Sequence, residues 1–197
     1  MSEQIIRGLT LWRPWDVAMR DLGKPIENRD WPPPESVQGQ LIALHSGKTW
    51  DDDGAMHIAL HAHKSLEDED CPSGAITCVA RLTGVMTQQK RACADGSITT
   101  NTTYTFWHDP DAPQPAWAGR FPTQAELEEM LAAPGPKSVY VPGPLDIERW
   151  FFGPYGWLMP ERVPIAPVPC RGAQGLWRLP PDVEAEVLRR YNENKGG

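Results

Sequence analysis

The alternation of apolar and polar positions divides most of the chain into short elements. In RGLTLW, Leu9 and Leu11 stand two apart, the spacing of a half-buried strand. In RPWDVAMRDLG, Trp15, Met19 and Leu22 recur at i, i+4 and i+7, with Pro14 at the first turn and Gly23 as a stop. That pattern predicts a helix with one face on a core. GQLIALHS is apolar through its centre, and GAITCVARLTGVM is rich in β-branched residues after a glycine; both predict strands. Between them, TWDDDGAMHIALHAHKSL predicts a helix whose acidic first turn suits the positive end of the helix dipole. GPYGWLM and QGLWRL predict closing strands, and Val183, Val187 and Tyr191 mark one face of a last helix over about residues 181–191.

Residues from about 87 to 145 are polar and proline-rich, and read as an insertion. Within them FPTQAELEEMLAAPG predicts a helix: Thr123 and Glu126 have capping-box spacing, and Pro134 and Gly135 stop it.

One stretch has the length of a strand without a strand's apolar alternation. In KPIENRDW, extended backbone sets Glu27, Arg29 and Trp31 on one face and Ile26, Asn28 and Asp30 on the other. Pro25 also holds Lys24 extended. Acid, base and indole side by side suit one wall of a cleft for a planar, polar ligand. The plainer alternative is an exposed ion pair from Glu27 to Arg29 or Lys24, contributing at most about 1 kcal/mol.

Composition narrows the class. A chain of 197 residues with 40% apolar and 23% charged residues is the size and make-up of one soluble domain. Its 21 prolines, several in clusters, predict short strands joined by stiff loops. Nine tryptophans are enough to line a cleft as well as fill a core. A net charge of −7 argues against coating duplex nucleic acid, which needs a basic face. The N-terminal residues lack the layout of a signal peptide and there is no long apolar run, so a cytoplasmic protein without membrane contact is expected. Cys71, Cys78, Cys93 and Cys170 have no C-x-x-C spacing and read as free thiols. His57 and His61 are four apart, but Ile58 replaces the glutamate of a zinc-binding H-E-x-x-H, so neither a metal nor a cofactor is expected.

LTLWRPWDVAM, GKPIENRDW, LIALHSGKTW, GAITCVARLTGV, GPYGWLM and CRGAQGLWRLP occur in the order found in ASCH domains, which this chain resembles over about residues 5–86 and 146–180. Lys24, Glu27 and Arg29 match the family signature G-x-K-x-x-E-x-R, although Leu22 stands at its glycine and Gly23 comes one place late. The resemblance implies an α+β fold: a PUA-like small mixed β-barrel of about five to seven strands with packed helices and the inserted segment. All 197 residues would then form a single domain. It also implies a cleft for RNA, for single-stranded or flipped DNA, or for a free nucleoside. Some relatives deacylate an acylated cytidine and others are ribonucleases. The deacylating relatives carry threonine where this chain has Glu27.

Three functions follow as expectations. The first is a binding module holding an unpaired or modified base: Trp12 or Trp31 stacks, Lys24 and Arg29 hold phosphate or carbonyl oxygen, and Glu27 reads the base edge. His45, Ser46 and Lys48 follow a strand and would adjoin that stretch if the two strands paired, while Tyr155 and Arg171 stand in later segments of the resemblance. The second is a hydrolase of a modified nucleoside or a ribonuclease, with Glu27 as general base and Lys24 stabilising an oxyanion. The third is a protein-interaction domain using the insertion as its surface.

Overall fold

A computed structural model describes residues 6–92, 98–106, 147 and 149–195. The chain divides into two compact units, the first comprising residues 1–24, 40–81 and 161–197, the second residues 25–39 and 82–160. Each unit is built on one sheet.

The first unit holds five strands in the order β8-β4-β3-β1-β9. They are β1 (Arg7–Arg13), β3 (Leu41–Trp50), β4 (Ala75–Arg81), β8 (Arg162–Pro169) and β9 (Leu176–Arg178). β1 and β3 run parallel, which requires a long crossover; the chain between them carries α1 (Trp15–Asp21) and leaves for the other unit before returning. All the other ladders of this sheet are antiparallel. α2 (Asp52–Ala62) is capped by the Asp51 carboxylate, which accepts from the Gly54 N–H. α3 (Pro181–Asn194) buries Val187 and Tyr191 in a core with Ile76, Val79, Ile165 and Trp177, the face expected from its period.

The second unit holds a four-stranded sheet, β2-β7-β5-β6. Its strands are β2 (Ile26–Arg29), β5 (Gly84–Ala92), β6 (Ile98–Phe106) and β7 (Tyr155–Leu158). Ile26, Met86, Trp150 and Trp157 are fully buried.

The α+β class holds. The described residues contain nine strands in two sheets, and no ladder among them closes a barrel. GAITCVARLTGVM is two strands, β4 and β5, parted at Leu82–Thr83 and belonging to different sheets. RVPIAPVP, to which the sequence reading assigned no element, is strand β8 despite its three prolines. Proline is tolerated there because β8 is an edge. Its spare carbonyls accept from α3: Arg190 Nη1 donates to Ala166 O and Pro167 O, and Asn194 Nδ2 to Pro164 O. The polar stretch from residue 87 contains most of β5 and all of β6, whose ladder runs from Gly84↔Phe106 to Ala92↔Ile98. The helix expected over residues 121–135 lies outside the described residues.

Candidate functional site

β2 is a strand despite its polarity because its buried face needs only Ile26, which is wholly inaccessible. The other residues of KPIENRDW that fall in the second unit are held individually. Arg29 Nη2 lies 3.1 Å from Glu27 Oε1, a pairing that the shared strand face dictates. Asn28 faces the other way, and its amide is spent on the 150–153 segment. Nδ2 donates to Trp150 O at 2.9 Å, and Oδ1 accepts the Phe152 N–H at 3.0 Å. Trp31 stands edge-on to Trp157 with ring centroids 4.6 Å apart, and the Trp157 indole N–H donates to Trp31 O at 3.1 Å. These contacts shape a cavity of about 300 Å³ lined by Asn28, Arg29, Asp30, Trp31, Phe152 and Gly153. Phe152 is half exposed at 52% and Trp31 is half-buried. Tyr155, also half-buried, pairs with Arg29 across the β2–β7 ladder, while Trp157 fills the core.

The remaining candidates fall in the first unit. Trp12 projects from β1 with 59% of its surface exposed. Lys24 is wholly buried, its ammonium 5.3 Å from the Trp15 ring centroid, and the Trp15 indole N–H donates to Asp51 Oδ2. His45, Ser46 and Lys48 do not follow a strand; they lie inside β3, which pairs with β1 and β4 and not with β2. The strand runs on because Arg13 straps its end: Nε donates to Gly47 O and Nη2 to Lys48 O. Ser46 is committed inward, its hydroxyl donating to Asp16 and lying 3.3 Å from Thr77 Oγ1. Burial pushes the Asp16 carboxyl above its ordinary value, partly offset by that hydroxyl. Lys48 and Arg171 are exposed.

His45 is buried beneath the 170–175 loop. Its Nε2 lies 3.2 Å from Cys170 O, so that nitrogen carries the proton, and its ring meets Trp177 edge-on. A side chain at Gly172 would come within 2.5 Å of the imidazole, so the loop fits against the ring only as glycine. Nδ1 is enclosed with no hydrogen-bond partner. A second proton there would be buried without an acceptor, and burial lowers the His45 pKa below 6.5, with the Cys170 carbonyl opposing. The unfolded chain therefore takes up a proton first as the pH drops. Stability is expected to be full above about pH 6.5 and to fall below it, levelling once folded His45 also titrates. Urea midpoints at pH 7.5 and 5.5 measure this, and His45→Gln should reduce the difference.

No protein-family model matches the chain, and no curated protein matches it. Crystal structures of the ASCH protein from Zymomonas mobilis are similar to it at 10% sequence identity and a TM-score of 0.42, covering 95% of this chain and 96% of that one. A serine-to-alanine variant of that protein gives 10% identity and a TM-score of 0.43, covering 96% and 98%. Its tyrosine-to-phenylalanine variant gives 10% identity and 0.41, covering 95% and 98%. These neighbours carry the family name that the sequence resemblance pointed to.

Four lining residues, Asn28, Asp30, Phe152 and Gly153, are not among the site candidates that the sequence offers. Phe152 and Gly153 enter the cavity through Asn28, more than a hundred positions away, and no local spacing encodes that contact. Asp30 was legible as a charged neighbour of Trp31, but its place in the cavity was not.

Proposed function

We propose that the chain is a single PUA-like ASCH domain that binds single-stranded nucleic acid or a nucleotide, holding one unpaired base in the cavity beside Trp31. What carries this reading is the lining itself: two aromatic residues, Trp31 and Phe152, together with Arg29, around a space of about 300 Å³. That volume lies at the small end of ligand cavities. Stacking on aromatic faces tolerates any base, and a guanidinium supplies the donor for a phosphate or carbonyl oxygen. Glu27 is assigned to holding Arg29, with which it pairs. Because Asn28 and Trp157 already fix the walls, little ordering remains to oppose binding. The acidic chain suits a pocket that takes one base better than a surface that follows a backbone.

Hydrolysis by Lys24 and Glu27 is not adopted. Lys24 is wholly buried against Trp15, and Glu27 is engaged by Arg29.

Fluorescence anisotropy with labelled single-stranded oligonucleotides, RNA and DNA, tests the proposal. Trp31→Ala and Phe152→Ala should each weaken binding by about tenfold, the loss of one stacking face. Arg29→Ala should lower the slope of log affinity against log salt by about one. Binding that both aromatic variants leave unchanged would overturn the assignment.

A further inference from the structure

The polar groups of the cavity are unequally committed, and this difference bears on which base it takes. Both ends of the Asn28 amide are used on the 150–153 segment, and Arg29 is engaged by Glu27. Asp30 differs: it is exposed, lines the cavity, and makes no hydrogen bond or ion pair among the described residues. Among the described residues a carboxylate beside Trp31 is therefore uncommitted, an acceptor with two oxygens and no hydrogen to give.

Base edges answer a carboxylate differently. Guanine offers N1–H and the N2 amino group side by side, so one carboxylate can accept from both. Adenine and cytosine each offer one amino group with ring-nitrogen acceptors beside it. Uracil offers N3–H flanked by two carbonyls, which a carboxylate repels. Guanine also carries O6 next to N1–H, and Arg29, the residue before Asp30, lines the same cavity.

Resting on the nucleotide reading above, we propose that this cavity selects guanine, with Asp30 as the specificity-determining residue. Asp30 accepts from N1–H and N2–H, Trp31 and Phe152 cover the ring faces, and Arg29 supplies positive charge on the O6 side.

Asp30 is exposed and outside the packing, so Asp30→Asn should leave the fold unchanged. The experiment uses the full chain and single-stranded heptanucleotides identical except at the central position: guanine, inosine, adenine, cytosine or uracil. The guanine oligonucleotide should bind about tenfold or more tighter than the others. Inosine, which lacks the N2 amino group, should fall to the level of adenine. Asp30→Asn should remove the guanine preference, bringing the guanine oligonucleotide down to the level of the others. If binding depends on Trp31 but the central base makes no difference, or another base is preferred, the guanine assignment fails and the nucleotide reading survives. If no oligonucleotide binds, both fail.

Discussion

Arg13→Ala is expected to destabilise the first unit by about 3 kcal/mol or more, since several enclosed carbonyls lose a charged donor at about 1–3 kcal/mol each. Arg13 is only 6% exposed. Its guanidinium donates to four backbone carbonyls: Gly47 at 2.9 Å, Lys48 at 2.8 Å, Asp68 at 3.1 Å and Cys71 at 3.4 Å. It also pairs with the Asp68 carboxylate. One side chain thus ties β3 to the 68–71 turn, and deleting it strands several of those carbonyls without donors. Lysine has no planar fork and cannot reproduce the set, so Arg13→Lys should restore only a minor part of the loss. Urea unfolding followed by far-ultraviolet circular dichroism measures both. A midpoint for Arg13→Ala close to that of the unsubstituted chain would show that water replaces the guanidinium at little cost.

Trp157→Ala should be comparably severe in the second unit, about 3–5 kcal/mol, the usual range for emptying a buried aromatic site. Trp157 is wholly buried in the central β7 strand, opposite Glu27 on one side and Val85 on the other. The variant also loses the indole donor to Trp31 O and the edge-on brace for the Trp31 ring. Trp157→Phe separates the two effects. It keeps most of the apolar volume and should cost less, yet it still leaves the Trp31 carbonyl without that donor. If Trp31 must be pre-set to stack, Trp157→Phe should weaken oligonucleotide binding more than its modest stability loss would suggest. Unfolding midpoints and anisotropy on the same preparations check this.

What the sequence disclosed follows the range of each interaction. Elements with a clear period were legible: Val187 and Tyr191 of α3 are buried as their spacing predicts, and KPIENRDW does form a strand that pairs Glu27 with Arg29. Threonine-rich β6 was not legible, because ITTNTTYTF shows no alternation and its polarity read as insertion. β8 was hidden by its three prolines, and its carbonyls at Pro164, Ala166 and Pro167 accept from Asn194 and Arg190 of α3, a contact visible only in three dimensions. The site divides in the same way. Arg29 and Trp31 stood out because charge and indole adjoin in one short stretch, whereas Phe152 is distant in sequence and its N–H donates to Asn28 Oδ1. His45, Ser46 and Lys48 looked like a polar strand end; two are buried inside β3, where Asp16 and the Cys170 carbonyl account for their polarity.

The central claim is a location: the bound base lies on Trp31 and Phe152. Photo-crosslinking of a single-stranded oligonucleotide to the full chain, followed by mass spectrometry of the adducts, tests it directly, because exposed Trp12 offers a competing indole in the other unit. Adducts on the peptides containing Trp31 and Phe152, lost on competition with unlabelled oligonucleotide, are the expected result. Competable adducts confined to the peptide containing Trp12 would contradict the account.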